Sequence, residues 1–383
     1  MNKYSGMLAL ALAASVSFSS QAQQGPIPIV GLMELSGTGA TAGTNFDNGV
    51  KLAVKEINAA GGILGRKIEY TAMDTQTAPQ TAKALAQKAV DQNAYVVMGP
   101  VFSGSIIVSM AETKRAEIPN FTGGEAANIT QQGNPYIFRT SFTQSTAMPK
   151  LARYIKDQIK ANTIAIIWVN NDFGKGGRDA MLKALDAQGI KVVADVSTDP
   201  GQVDFSAAVL KVKQSNADAL FVYTNEEESA RALRELKKQG YDKPIIGETT
   251  LTGQKVIELA GDAANGAIAH VGLTVDAPQP TIKAFDDKFQ KEYKYKSDHN
   301  GMKGYSGMYV VKAITEKVGK LDPKAFAKTL HGATILAKDY PGVLLDVSFD
   351  DNGDLDRESF LVKVVNGKQV VTATLPPVKP IAK

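Results

Sequence analysis

Apolar and polar residues alternate along this chain with two different periods, and both appear in the segment Gly49–Asp74. From Val50 onward, apolar residues recur at i, i+3, i+4 and i+7, which predicts an amphipathic helix. Gly61 and Gly62 then end the helix, because glycine readily adopts the left-handed backbone found after a helix. Arg66–Met73 next alternates with the period of a half-buried strand. With the apolar run that precedes it, the segment predicts a strand–helix–strand unit.

The same alternation of apolar runs and amphipathic stretches continues to about Val271. Strands are predicted at Ile27–Leu35, Lys67–Met73, Tyr95–Met98, Ile118–Phe121, Thr163–Val169, Lys191–Val196, Ala219–Tyr223 and Pro244–Ile246. Helices are predicted at Phe46–Ala59, Pro79–Gln92, Ser105–Glu117, Met148–Lys160, Gly177–Gln188, Ser206–Gln214, Glu227–Lys238 and Gly253–Leu259. Such alternation predicts an α/β fold with doubly wound parallel sheets, covered by helices on both faces. Because the pattern restarts at Thr163, we expect two similar lobes, the second beginning near Thr143.

Beyond Val271 the pattern changes. Helices are predicted at Thr281–Lys291, Met302–Val318 and Pro323–Leu330. They are followed by a hairpin-like pair of strands, Gly342–Phe349 and Glu358–Val365, around the acidic segment Asp350–Asp354. The glycine of that segment stands fourth rather than sixth, so it indicates a hairpin turn and not a calcium loop.

The first residues predict export. Lys3 gives a positive start, Met7–Val16 an apolar core, and Ser20–Ala22 a small-x-small cleavage pattern. We therefore expect residues 1–22 to be a removed signal peptide. No apolar run reaches the roughly 18 residues of a membrane span, so direct membrane insertion is not expected. Because the chain has no cysteine, an acylated-cysteine anchor, disulfides and thiolate metal ligands are all excluded.

Composition and charge exclude further classes of function. Hydrophobic residues make up 44% and charged residues 21%, as in ordinary globular proteins, and a net charge of +4 is too small to indicate nucleic-acid binding. His270, His299 and His331 share no metal spacing, and neither a nucleophile elbow nor a phosphate loop occurs. The segment Gly37–Ala42 fits a loose dinucleotide pattern only weakly. We therefore expect no catalytic residues, no metal and no cofactor.

The candidate binding residues follow predicted strands. In open α/β sheets, ligands bind beyond the carboxyl ends of strands and at helix N-termini. Ser103 and Gly104 follow the strand that ends at Met98, where a hydroxyl and free helix amides favour a carboxylate. The next strand is followed by a second loop with the same features, which consists of Thr122, Gly123, Gly124 and Glu125.

The sequences of several segments resemble those of a known family. The string INAAGGILGRKIE with Asp74 after it, the Ser103 loop and the D-F-G turn at Phe173 are similar to the leucine/isoleucine/valine-binding proteins, which are type I periplasmic binding proteins of ABC importers. The resemblance implies two lobes joined by a three-segment hinge, with crossings near residues 141–144, 272–276 and 343–347. Lobe 1 would then comprise residues 23–142 with 275–344, and lobe 2 residues 143–274 with 345–383.

The resemblance also implies roles for individual residues. The loops at Ser103 and Thr122 would hold the carboxylate and part of the ammonium group of a ligand, and Phe173 would wall the pocket. Further ligand contacts implied by strand ends of the second lobe are Thr224, Asn225, Glu248 and Thr249. The sequence departs from the family at three of these places: Glu125 replaces a Thr- or Ser-ending segment, Thr249 stands where amino-acid binders have a carboxylate, and Ala42 replaces a tyrosine.

These departures leave two ligand hypotheses open. In the first, the pocket keeps its grip on a carboxylate but takes an aromatic or other organic acid without an amine, because a buried ammonium without a partner is costly. In the second, Glu125 or Glu248 supplies the missing partner, so that an amino acid or amide still binds. The run Glu226–Glu228 is interpreted as the negative first turn of a helix rather than a cation site.

The resemblance thus predicts a periplasmic, unanchored and monomeric binding protein that is not an enzyme. It would capture a small ligand between its lobes and deliver it to a membrane permease, without binding nucleic acid. An exported ligand-sensing subunit of the same fold is one alternative, and an exported hydrolase is another.

Overall fold

A computed structural model describes residues 25–378, so the predicted signal peptide lies outside the described residues. The strands are β1 (Ile27–Met33), β2 (Ile68–Asp74), β3 (Val96–Met98), β4 (Asn120–Thr122), β5 (Ile137–Arg139), β6 (Thr163–Val169), β7 (Lys191–Thr198), β8 (Ala219–Tyr223), β9 (Ile245–Gly247), β10 (Ile268–Val271), β11 (Thr334–Ile335), β12 (Val347–Phe349), β13 (Leu355–Asp356), β14 (Ser359–Val365) and β15 (Lys368–Leu375). The helices are α1 (Ala40–Ala59), α2 (Pro79–Asp91), α3 (Ser103–Arg115), α4 (Gln144–Tyr154), α5 (Asp172–Ala187), α6 (Ser206–Gln214), α7 (Glu226–Lys238), α8 (Gln254–Ala260), α9 (Pro280–Tyr293), α10 (His299–Val318) and α11 (Pro323–Leu330). Each predicted helix and strand is present, although several ends differ by a few residues.

The first half of the chain builds a five-stranded sheet in the order β2-β1-β3-β4-β5. All its strand pairs are parallel, as the alternation of strands and helices predicted. Apolar side chains of α1, α9 and α10 form one core with this sheet, and a separate cluster that includes Ala86 and Ala89 of α2 covers the other face. The sheet therefore has helices on both sides.

The second sheet has seven strands in the order β15-β14-β10-β9-β8-β6-β7. Its strands from β6 to β10 are parallel, and one apolar cluster lies on each face. The two last strands differ, because β14 pairs antiparallel with β10 and β15 pairs antiparallel with β14. The lobe is thus doubly wound with an antiparallel hairpin at one edge.

The hairpin predicted near the C-terminus is partly wrong. The turn at Asp350–Asp354 exists, but it connects β12 with the two-residue strand β13 and not with β14. With β11, these strands form a separate three-stranded sheet. The first four residues of β14 are buried on both faces, as a strand inside a large sheet requires, so β14 joins the second sheet instead.

Three segments connect the two sheets, and they meet around one aromatic ring. Phe142 follows β5, Gly272 follows β10, and Arg357 lies between β13 and β14. A Cβ atom at Gly272 would lie only 2.7 Å from Cδ2 of Phe142, so glycine permits this approach. The guanidinium carbon of Arg357 lies 5.7 Å from the centre of the Phe142 ring. The three connections therefore pack against each other instead of running separately.

None of the helices within residues 25–378 is long and apolar enough to cross a membrane.

Candidate functional site

A cavity of about 370 Å³ lies between the two sheets, next to the carboxyl ends of their strands. This is where an open α/β sheet is expected to bind a ligand. Its lining residues, which we call the cleft residues, are Ala42, Val101, Phe102, Ser103, Gly123, Gly124, Glu125, Phe173, Asn225, Glu226, Thr250, His299, Asn300 and Lys303.

The cleft brings together seven of the residues that the sequence indicated: Ala42, Ser103, Gly123, Gly124, Glu125, Phe173 and Asn225. The other five, which are Gly104, Thr122, Thr224, Glu248 and Thr249, do not line it. Thr224 instead shares a hydrogen bond of 2.8 Å between its hydroxyl and that of Ser229. Thr249 borders a neighbouring cavity of about 310 Å³, and Thr250 takes the place in the cleft.

The Ser103 wall is held by a buried carboxylate. Glu34, at the end of β1, accepts hydrogen bonds from the backbone amides of Val101 and Phe102 at 3.1 and 3.0 Å. This fixes the loop from which α3 begins at Ser103. The Ser103 Oγ accepts a hydrogen bond of 3.3 Å from the amide of Ala126, so its own proton remains available to donate. Burial raises the pKa of Glu34 to about 7.

Glu125 lies at the centre of a buried polar cluster. Its Oε1 is 3.1 Å from the Nζ of Lys303, and its Oε2 accepts a hydrogen bond of 3.2 Å from the hydroxyl of Tyr223. Lys303 belongs to α10 and Tyr223 ends β8, so the carboxylate joins the two halves of the cleft. Burial and the nearby charge of Glu248 raise the pKa of Glu125 to about 7, against the opposing effect of Lys303.

Glu248 is occupied within the second lobe. Its Oε1 lies 3.0 Å from Nδ1 of His270 on the adjacent strand β10, and its other oxygen accepts the backbone amide of Thr249. Burial alone would raise the pKa of Glu248, but the hydrogen bond and charge of His270 and the contact with Thr249 lower it. The carboxylate therefore has protein partners and lies outside the cleft lining.

Phe173 closes the cleft from the second lobe. Its ring stacks on Tyr223 with the centres 4.3 Å apart. The side chain of Gln144, from the first connecting segment, donates hydrogen bonds to the Phe173 carbonyl at 2.8 Å and to the Tyr223 hydroxyl at 2.9 Å. Across the opening, a Cβ atom on Gly104 would lie 3.0 Å from Oδ2 of Asp172. The two lobes are thus close together at the Ser103 side of the cleft.

Sequence reasoning missed the contribution of α10. This helix begins at His299, three residues before the predicted start, and carries His299, Asn300 and Lys303 into the cleft. The signal that could have shown this is Asp298, a strong N-cap residue just before them. Burial, with the charge of Glu226, raises the pKa of Asp298 to about 7, whereas burial and Lys303 lower that of His299.

The interpretation of Glu226–Glu228 as the negative first turn of a helix is confirmed, because all three residues lie in the first turn of α7. Glu228 forms a capping box with Asn225 at the start of α7. Glu226, however, is buried and faces the cleft. Burial raises the pKa of Glu226.

Within residues 25–378 no group of three or more histidine, aspartate or glutamate side chains could hold a metal ion. The polar groups of the cleft can instead bind a small molecule that has hydrogen-bonding groups at more than one end.

The class of protein follows from fold and site together: two doubly wound lobes enclosing a polar cleft are the type I periplasmic binding protein fold. A model of the family described as "Periplasmic binding protein" matches residues 26–369, and the chain belongs to this family. It is similar to a leucine-, isoleucine-, valine-, threonine- and alanine-binding protein of Pseudomonas aeruginosa, with 27% identity over 92% of this chain and 93% of the relative.

Solved structures of proteins named as binding proteins of ABC transporters are also similar to this chain. The branched-chain amino acid transporter substrate-binding protein LivJ of Streptococcus pneumoniae, in complex with isoleucine, has 26% identity and a TM-score of 0.82, covering 93% of this chain and all of that one. A solute-binding protein of an ABC transporter from Rhodopseudomonas palustris, in complex with benzoate, has 21% identity and a TM-score of 0.84, with 93% and 98% covered. The second likeness shows the fold alone.

The predicted family and fold are therefore confirmed. The chain is a substrate-binding protein of the branched-chain amino acid type of ABC transporter, a family that acts outside the cytoplasm. Its relatives are named as binding proteins and not as enzymes.

Proposed function

We propose that this protein captures a small carboxylate-bearing ligand in its cleft and delivers it to the membrane permease of an ABC importer. The observation that supports this most directly is the pair of buried hydrogen-bond donors, Ser103 and Lys303, on the wall of a cavity between two lobes. Both side chains are buried, so a bound carboxylate would be shielded from water, where charge-assisted hydrogen bonds are strongest.

Three kinds of donor would hold the carboxylate. The first backbone amides of α3 have no partner within the helix and carry its positive dipole end. The Ser103 hydroxyl has a free proton, and Lys303 uses two of its three donors on Glu125 and on the Gly123 carbonyl at 3.4 Å. The remaining Lys303 donor is available to a ligand in the cleft.

Delivery would depend on closure of the lobes. A ligand first docks on the loops of the first lobe, and closure then adds Phe173 and Asn225 from the second. Because the closed form is favoured only when both sets of contacts are made, a permease that recognises the closed form receives loaded protein. In this proposal the mature protein is a monomer, free in the periplasm, and neither makes nor breaks a bond.

The proposal is tested by ligand binding to the purified mature protein. A thermal-shift screen against amino acids, amides and aromatic acids should give at least one ligand that raises the melting temperature, because a ligand specific for the native state stabilises it. Isothermal titration calorimetry then gives its affinity. A protein that binds none of these compounds would contradict the proposed capture function.

Ser103→Ala should weaken a carboxylate ligand by about tenfold, because the lost hydrogen bond is made to a charged group. The matched control is Ser109→Ala on the same helix, whose buried hydroxyl donates a hydrogen bond to the carbonyl of Ile106 and does not line the cleft. Calorimetry of both variants with the same ligand separates the two effects. Equal affinities for the Ser103 variant and the wild type would remove Ser103 from the site.

A further inference from the structure

Buried carboxylates surround the cleft, and nearly all of them already have protein donors. Glu34 accepts two backbone amides, and Glu125 is paired with Lys303 and Tyr223. Glu248 is bonded to His270 and to the amide of Thr249. Asp298 caps α10 by accepting the amides of Asn300 and Gly301 at 2.8 and 3.2 Å. These carboxylates therefore use their hydrogen-bonding capacity on partners within the protein.

Glu226 is the exception. It lines the cleft and is 8% exposed, yet within residues 25–378 the only other residue that donates a hydrogen bond to its carboxylate is Asn300, at 3.5 Å. That distance lies at the outer limit for a hydrogen bond. Burial raises the pKa of Glu226, whereas the charge of Lys303 and the position of Glu226 as the first residue of α7, at the positive end of the helix dipole, favour its ionised form. A buried carboxylate therefore faces the cavity with most of its accepting capacity unused.

The charges of the cleft residues also indicate Glu226 as the group that lacks a partner. Glu125, Glu226 and Lys303 together carry one net negative charge when ionised, and His299 adds no charge because burial and Lys303 lower its pKa. Lys303 is in contact with Glu125 and its charge also acts on Glu226, but within residues 25–378 no cationic side chain forms an ion pair with Glu226. A buried charge without a partner is costly, and a cationic group on the ligand would remove that cost.

We infer that the ligand carries an amine, as an ammonium group bound by Glu226, in addition to the carboxylate bound near Ser103 and Lys303. This inference rests on the proposed capture function and names its ligand class: a zwitterionic amino acid. The amine partner comes from the end of β8, whereas Thr249, where amino-acid binders of this family have their carboxylate, follows β9. Glu125 and Glu248, the partners suggested by the sequence, are already occupied inside the protein.

The test compares pairs of compounds that differ only in the amine. Full-length mature protein, freed of bound ligand by unfolding and refolding, is titrated with L-amino acids and with the analogues in which hydrogen replaces the amine. Examples are leucine with 4-methylpentanoate and phenylalanine with 3-phenylpropanoate. The wild type should bind the amine-bearing member about 10- to 100-fold more tightly, as expected for one charge-assisted bond.

Glu226→Gln removes the charge with almost no change of shape and should abolish this preference. The control is Glu227→Gln, the next residue on the same helix turn, whose side chain is exposed and paired with Arg231. The control should keep the preference of the wild type.

Two results would overturn the inference. If amine-free acids bind as tightly as their amine-bearing partners, capture stands and the amine assignment is wrong. The assignment is also wrong if Glu226→Gln leaves the preference unchanged while the protein stays folded. Failure of both classes of compound to bind would instead contradict the proposed capture function itself.

Discussion

At the scale of the residue, three buried carboxyl groups should make the stability of this protein depend on pH. Glu34, Glu125 and Asp298 each have a pKa raised to about 7, with burial as the main cause. In the unfolded chain these groups titrate near 4, so between about pH 4 and pH 7 the folded protein holds more protons. The unfolding free energy should then fall as the pH rises through this range, by up to about 1.4 kcal/mol per pH unit for each group.

Asp298→Asn isolates one of these groups. Asparagine is as good an N-cap as aspartate, so α10 should keep its start while the titrating group is lost. Denaturant unfolding of the ligand-free protein between pH 4.5 and 7.5 should show a shallower fall of stability than in the wild type. The control is Asp322→Asn at the N-cap of α11, where the carboxylate is only partly buried and has a lowered pKa. An unchanged slope in the Asp298 variant would show that this carboxyl does not titrate there.

At the scale of the element, the sequence predicted which segments are helices and strands better than where they begin. The prediction for α1 began at Phe46, but the helix begins at Ala40 and contains both Gly43 and Gly49. A Cβ atom at Gly49 would lie 1.9 Å from the carbonyl oxygen of Gly301 on α10. The glycine therefore permits two helices to touch, and that neighbour is 250 residues away in sequence.

Contacts between segments that are far apart in the sequence also explain which residues of the cleft the sequence did not predict. Ser103 could be predicted because it lies where the loop after a strand opens a helix, and Phe173 because the D-F-G turn resembles that of the family. The direction of Glu226 could not, because it depends on how the starts of α7 and α10, which are far apart in the sequence, meet at the cleft. Three consecutive glutamates look alike in the sequence, but successive helical residues point about 100° apart. Only the assembled fold turns one of them into the cleft.

Gly49→Ala tests the contact between α1 and α10. Alanine favours a helix by about 1 kcal/mol over glycine, but overpacking against a backbone carbonyl costs about 1–3 kcal/mol or more. The variant should therefore be less stable than the wild type in urea unfolding. At Gly253 the nearest atoms to an added Cβ are 3.9 Å away, so Gly253→Ala should change stability little. A more stable Gly49 variant would show that the helices can move apart without cost.

At the scale of the whole molecule, closure of the lobes is joined to the polar cluster in the cleft. Tyr223 contributes its hydroxyl to Glu125 of the first lobe and accepts from Gln144 of the connecting segment. These bonds can form only while the lobes are close together. The Phe142 ring, packed by Gly272 and Arg357, lies where all three connections meet, so we expect the proposed closure to pivot there.

Tyr223→Phe should shift the protein toward open forms, because it leaves the buried Glu125 oxygen and the Gln144 amide without this partner, at a cost of about 1–3 kcal/mol. We expect a larger radius of gyration for the ligand-free protein in small-angle scattering. Ligand affinity should also fall by about 5- to 100-fold, which calorimetry measures. Phenylalanine keeps the aromatic ring that stacks on Phe173, so the variant reports the effect of the hydroxyl alone. Identical scattering and affinity would show that the hydroxyl takes no part in closure.

The near contact between Gly104 and Asp172 has a practical consequence. Because the chain contains no cysteine, thiols introduced at these two positions would have no competitors for labelling or cross-linking. A fluorophore pair there would convert each closure into an optical signal, and an oxidised pair would hold the mouth of the cleft shut. The close approach of Gly104 and Asp172 thus makes the molecule suitable as a reporter of its own occupancy.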